Sequence, residues 1–234
     1  MAAVRRSKFL HKCVASPTGK DSASVIFIHG SGDTGQGVRA WVKEVSVPDL
    51  AFPHIRVVYP TALARPYTPM QGVLSNVWFD CYKISRDCLE HLGEVTAGVP
   101  KYRMIIGGFS MGGAMALHLA CRYHRDVAGV FALSSFLNKD CSISGKGGSH
   151  WAVEERAGAG SPLPELLQGH GPGDELVFRK WGEETMALLK KAGMTTTFHS
   201  FPGLQHQLFR PEIELLRSWI LTKLLPDSLD ASGQ

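Results

Sequence analysis

The stretch Arg103 to Ala120, RMIIGGFSMGGAMALHLA, decides the fold. An apolar run, Met104-Ile105-Ile106, ends in Gly107-Gly108. Phe109-Ser110-Met111-Gly112-Gly113 follows, and Ala114 to Ala120 is rich in helix formers. This order predicts strand, tight turn and helix, with Gly108 to Gly112 matching G-x-S-x-G. Glycines two positions either side of a serine let the two backbones pass without a Cβ clash. They leave the hydroxyl on a strained turn above the sheet edge. The N–H groups that open the helix face the same way, where negative charge on an attacked carbonyl would develop. A tight turn with an incidental serine is the competing reading, and the rest of the chain decides between them.

Working outward, Ala23 to Ile28 is a β-branched apolar run that stops at His29-Gly30-Ser31-Gly32-Asp33-Thr34-Gly35. A buried parallel strand feeding a glycine-rich loop is the natural reading. No Gly-Lys-Ser/Thr follows, so the loop is not a phosphate cradle. Trp41 to Val47 has helical potential, His54 to Tyr59 reads as a strand, and Thr61 to Val77 reads as a long loop closed by Trp78-Phe79-Asp80. Such a loop often lines a site, which makes Gly30, Trp78 and Phe79 candidate substrate-binding residues, although the two aromatic residues also suit simple packing. Asp87 to Leu92 starts a short helix that Gly93, Gly98 and Pro100 interrupt.

Downstream, Val127 to Ser134 is a buried strand, and residues 140–162 form a glycine-rich stretch with no apolar period, expected as a flexible insertion. A short strand spans Leu163 to His170. An amphipathic helix runs from Trp181 to Ala192, with Trp181, Met186, Leu188 and Leu189 toward the core. Thr195 to Phe201 is the last strand. Glu212 to Leu225 is a terminal helix striped by Ile213, Leu216, Ile220 and Leu224. Alternating strands and helices with no repeat predict an α/β fold, one mostly parallel, doubly wound sheet with helices on both faces. The expected boundaries are a basic N-terminal extension over 1–21, one domain over 22–226 and a disordered tail over 227–234.

Composition narrows the function. The 234 residues are 44% hydrophobic and 20% charged, with a formal net charge of +4. Basic residues are too thinly clustered for a nucleic-acid stripe, and no apolar run reaches the 18 or so residues of a membrane span. The five cysteines form no C-x-x-C pair. A cytosolic protein with free thiols, no nucleic-acid partner and at most peripheral membrane contact is expected.

A serine hydroxyl is a poor nucleophile unless a base takes its proton and a carboxylate orients that base. In open α/β sheets such groups gather at the carboxyl ends of strands. Asp174 follows the strand ending near His170, and His206 follows the strand ending at Phe201, so the chain order is Ser110, Asp174, His206. Glu175 is the nearest substitute for Asp174. His199 lies within a strand, His170 precedes the acid loop, His118 and His124 sit on or just after the serine's helix, and Asp126 and Asp140 fall at unsuitable places. Backbone N–H groups of Ser31 and Met111 would form an oxyanion hole. No H-E-x-x-H or similar spacing calls for a metal, and no cofactor is expected.

With these residues placed, the chain resembles the acyl-protein thioesterase/lysophospholipase family of α/β hydrolases. The matching pieces are Phe27 to Gly35, Tyr59-Pro60-Thr61-Ala62, Trp78-Phe79-Asp80, Gly107 to Gly113, Gly129 to Asn138, and Phe198 to Pro202 with His206. The resemblance implies the α/β-hydrolase fold and a serine hydrolase acting on S-acylated proteins (protein S-depalmitoylation) or small acyl esters. A relative of impaired catalysis that only binds acylated proteins is the alternative. Two segments depart from the family pattern: the crossover from Leu89 to Lys101 is short, and the glycine-rich stretch after Asn138 is long. Gly171-Pro172-Gly173, just before Asp174, also departs.

Overall fold

A computed structural model of the chain describes residues 10–47, 49–80, 83–84, 99–137 and 162–226. In chain order the elements are strands β1 (Lys12–Ala15) and β2 (Ala23–Ile28), helix α1 (Gly35–Val45), strands β3 (Ile55–Pro60), β4 (Ala64–Tyr67), β5 (Val73–Asn76), β6 (Phe79–Asp80), β7 (Lys83–Ile84) and β8 (Met104–Phe109), helix α2 (Met111–Arg122), strands β9 (Gly129–Leu133) and β10 (Leu166–His170), helix α3 (Arg179–Lys191), strand β11 (Thr196–Ser200) and helix α4 (Arg210–Lys223).

Seven strands form one sheet in the order β1-β3-β2-β8-β9-β10-β11. The pairs β3–β2, β2–β8, β8–β9, β9–β10 and β10–β11 are parallel, and only β1 on β3 is antiparallel. All six residues of β2 and of β8 are buried, as strands covered on both faces must be. Alternate side chains enter two cores. Ile26, Ile28, Ile106 and Ala132 pack with Met115, Leu119 and Leu189 of α2 and α3 on one face. Val25, Phe27, Ile105 and Phe131 pack with Val38 and Val42 of α1 and Ile213, Leu216 and Ile220 of α4 on the other. This is the doubly wound, mostly parallel α/β arrangement that the alternation of elements predicts.

The chain leaves β2 toward β3 on one side and returns to β8 on the other, so the strand order reverses between β2 and β8. Ligand sites in open α/β sheets lie at such a reversal, outside the carboxyl ends of the strands. The loops after β2 and β8, which carry Ser31 and Ser110, meet there.

Several expectations need correction. Lys12–Ala15 lies inside the span read as an extension, yet pairs with β3, so the sheet begins before residue 22. Helix α1 starts at Gly35, not near Trp41. Thr34 caps it by accepting the Gly37 N–H at 2.9 Å, and the Gly35 N–H donates to Thr61 Oγ1 at 2.9 Å. Part of the loop 61–77 is a hairpin, β4 on β5, whose turn places Gln71 and Gly72 at φ 54° and 82°. On α3 the inward residues are Gly182, Thr185 and Leu189, and Trp181 is partly exposed. Thr185 belongs inside because its hydroxyl accepts the Leu137 N–H at 2.9 Å and donates to the Trp181 carbonyl at 2.8 Å. The α4 stripe Ile213, Leu216, Ile220 and Leu224 is fully buried, as its spacing requires. The short helix at Asp87 to Leu92, nearly all of the stretch 140–162, the tail 227–234 and residues 1–9 lie outside the described residues. Among the described residues no helix is long and apolar enough to cross a membrane.

Candidate active site

Ser110 sits between β8 and α2 with φ 54° and ψ −122°. A non-glycine residue at positive φ is strained, and the surroundings hold it there. The Ser110 N–H donates to the Leu133 carbonyl at 2.9 Å, and its own carbonyl accepts the Gly113 N–H at 3.0 Å and the Ser135 hydroxyl at 2.7 Å. A Cβ on Gly112 would overlap the carbonyl oxygens of Ile28 and His29, and one on Gly108 that of Ile28. The two glycines of the motif therefore let the helix start press against the end of β2.

Asp174 follows β10 and is 3% exposed. Its Oδ1 accepts the N–H groups of Leu176, at 3.0 Å, and Val177, at 2.8 Å. This Asx-type turn fixes the carboxylate plane and leaves Oδ2 free to face the next strand's loop. His206, in the loop after β11, reaches both partners: Nδ1 lies 2.8 Å from Asp174 Oδ2, and Nε2 lies 3.1 Å from Ser110 Oγ. With Asp174 as acceptor, the tautomer that fits carries its proton on Nδ1 and leaves the Nε2 lone pair to the serine hydroxyl. The ring packs against Phe109 at 4.8 Å between centroids. Three side chains from the ends of three strands thus make one hydrogen-bonded line.

The competing residues are placed elsewhere. Glu175 is exposed beside the acid turn, His199 lies within β11, and His118 is buried in α2. His170 is the exception. It lies beneath the acid with Nε2 3.6 Å from Asp174 Oδ2, donating to the Val177 carbonyl at 2.7 Å, and burial pushes its pKa down. It is a neutral brace under the carboxylate.

The loop after β2 is held by His29, which is fully buried. Its Nδ1 donates to the Gly30 carbonyl at 2.6 Å and its Nε2 accepts the Ala62 N–H at 3.0 Å. Burial lowers its pKa, so the ring is the neutral tautomer that both bonds demand. Trp78 Nε1 donates to the His29 carbonyl at 2.9 Å. Trp78 has no exposed surface and Phe79 is 8% exposed, so neither is placed to line a substrate cleft. They are packing residues that brace the loop, because an indole ring supplies both apolar area and the donor the buried carbonyl needs. Gly30 abuts the elbow: a Cβ there would sit 3.4 Å from Ser110 Cβ. Ser31 next to it is exposed, and Met111 opens α2, where the first N–H groups have no partner within the helix.

Ser135, His170 and His29 are supports that no local sequence pattern marks as such, although the pair Ser134-Ser135, polar directly after a buried apolar strand, sets the first apart.

A family model described as Phospholipase/Carboxylesterase matches residues 10–224. The chain is 51% identical over 249 residues to lysophospholipase-like protein 1 of Mus musculus, covering all of both chains. That alignment is longer than the 234 residues here, so part of the mouse protein has no counterpart. It is 30% identical over 254 residues to acyl-protein thioesterase 1 of Neurospora crassa, covering 98% of this chain and 96% of that one. The crystal structure of Zea mays acyl-protein thioesterase 2 superposes with a TM-score of 0.71 at 25% identity, covering 92% of this chain and 100% of that one.

Proposed function

The chain belongs to the phospholipase/carboxylesterase family of α/β hydrolases and is a hydrolase, and from that premise we propose that it cleaves acyl thioesters or short-chain carboxylic esters through Ser110, His206 and Asp174. The observation that carries the reading is the His206 ring between Ser110 Oγ and Asp174 Oδ2, at 3.1 and 2.8 Å.

His206 Nε2 takes the hydroxyl proton as Ser110 Oγ attacks the acyl carbon, and Asp174 stabilises the imidazolium that results. The carbonyl oxygen gains the negative charge and accepts hydrogen bonds from the backbone N–H groups of Ser31 and Met111. One such donor contributes about 3 kcal/mol to the barrier reduction. The tetrahedral intermediate collapses with loss of the thiol or alcohol, which receives the proton from His206. Water, deprotonated by the same ring, then attacks the acyl-serine and releases the acid. S-acylated proteins fit as substrates because the names of the fungal and plant relatives point that way. Among the described residues, no feature of the site separates a thioester carbonyl from an oxygen ester carbonyl.

The test is hydrolysis of a chromogenic thioester and of a short-chain ester by the purified chain and by Ser110→Ala. The reading requires turnover by the first and a loss on the order of a millionfold in the second. Absence of turnover with intact binding of an acylated peptide would favour a binding protein instead.

A further inference from the structure

Helix α4 follows the His206 loop, and its N-cap residue, Phe209, has no side chain able to cap it. Three positions on stands Glu212, an acidic residue in the first turn that is only 1% exposed. That is the position from which an acid turns back toward the N-cap backbone N–H in a capping box. The Phe209 backbone acts on this carboxyl in that sense, though burial outweighs it and pushes the group up to about 8. Neither carboxyl oxygen meets a partner at full hydrogen-bond geometry among the described residues. A buried group of this kind is retained at a cost, which raises the question of what it does there.

Its other neighbour is β10. A Cβ on Gly169 would overlap Glu212 Oε1 and would lie 3.1 Å from its Cδ. The strand therefore carries glycine at the point where the carboxyl inserts. Gly169 is aligned with Leu133 of β9 and His199 of β11, and its carbonyl accepts the Ser134 N–H at 2.8 Å. It directly precedes His170, which braces Asp174. One side chain thus lies between the root of the acid loop and the root of the histidine loop.

We propose that Glu212 is a positioning residue for the His206–Asp174 pair, a buried wedge between β10 and the start of α4 that sets how far apart the two loops stand. The proposal rests on the reading of His206 as the base. Displacing a catalytic group by about 1 Å can cost about a hundredfold in rate, so a wedge at this place has leverage that a remote core residue lacks. Its shape and neutral form are what the space accepts, and glutamine reproduces both.

The experiment measures kcat and KM for a thioester, well below the melting temperature, in the full chain and in Glu212→Ala, Glu212→Gln and Gly169→Ala. Melting temperatures and fluorophosphonate labelling of Ser110 are recorded beside them. The expected result is kcat lower by about tenfold to a hundredfold in Glu212→Ala and in Gly169→Ala, with KM within about twofold and kcat of Glu212→Gln within about threefold of the parent. Should Glu212→Ala fail to fold, Glu212→Asp, one methylene too short to fill the space, takes its place with the same expectation. Parental kcat in the truncated and Gly169→Ala variants, with only the melting temperature lowered, overturns the proposal, and so does a Glu212→Gln variant as slow as Glu212→Ala. A parent chain that is not labelled at Ser110 breaks the prior reading of the triad instead, so the two failures are distinct.

Discussion

The Ser135 hydroxyl donates to the backbone carbonyl of Ser110 at 2.7 Å, tying the loop after β9 to the strained turn that carries the proposed nucleophile. That carbonyl also accepts the Gly113 and Ala114 N–H groups, at 3.0 and 3.3 Å, so the bond clamps the start of α2. Ser135→Ala removes the clamp without touching any reacting group. Its kcat/KM should fall about tenfold and its stability by about 1 kcal/mol, read from ester hydrolysis kinetics and a urea melt.

Trp78 gives a sharper test of brace against substrate contact. In Trp78→Phe the His29 carbonyl, buried between Trp78 and the core, loses its donor. An unsatisfied buried acceptor costs about 1–3 kcal/mol. The expected outcome is a lower melting temperature and a lower kcat with KM for a short ester unchanged. A selective rise in KM would mean that the indole touches substrate after all.

Gly112 is the place where the elbow tolerates least. A methyl group there meets the Ile28 and His29 carbonyl oxygens, both backbone, the first at the end of β2 and the second held by Trp78 Nε1. Gly112→Ala should lose about 3 kcal/mol or more of stability, the upper range of overpacking, and show no fluorophosphonate labelling. Comparison with Gly203→Ala, where nothing lies within 4 Å and the penalty comes from a φ of 76° alone, separates clash from backbone strain.

These contrasts also explain what could be read in the sequence. Strands β2 and β8 and the stripe of α4 were legible because burial on both faces, or on one helical face, imposes an unbroken or periodic apolar pattern. The motif around Ser110 was legible because only glycine fits at positions 108 and 112. The start of α1 was not, since Gly35 and Gly37 are poor helix formers and the helix is held by Thr34 and Thr61, the latter 26 positions from Gly35. Strand β1 has four residues and a single buried position, too little for a period. On α3 the inward face holds a threonine and a glycine, chosen by hydrogen bonding to Leu137 and by closeness to His170 rather than by hydrophobicity. Ser110, Asp174 and His206 could be proposed from chain order and strand ends. The supports at His29, Ser135 and His170 depend on contacts between loops, which no local pattern announces.

The pH dependence of stability isolates Glu212. Its carboxyl is pushed from the ordinary 4.5 up to about 8 by burial. The folded chain therefore holds this proton more tightly than the unfolded one, and stability is fully present below 4.5 and is lost as pH rises through about 8. Glu212→Gln cannot ionise. The difference in melting temperature, Glu212→Gln minus parent, should grow from pH 5 to pH 9, and a difference that stays flat would show that the acid is not held protonated by the fold.

The atom that bonds to an acyl or phosphonyl group can be identified by mass spectrometry. The chain is reacted with a fluorophosphonate, its intact mass taken, and the modified peptide sequenced. One adduct is expected, on Ser110 between Phe109 and Met111, formed orders of magnitude more slowly in His206→Ala. An adduct on any other residue, or labelling of Ser110 at the parental rate without His206, would contradict the roles proposed for Ser110 and His206.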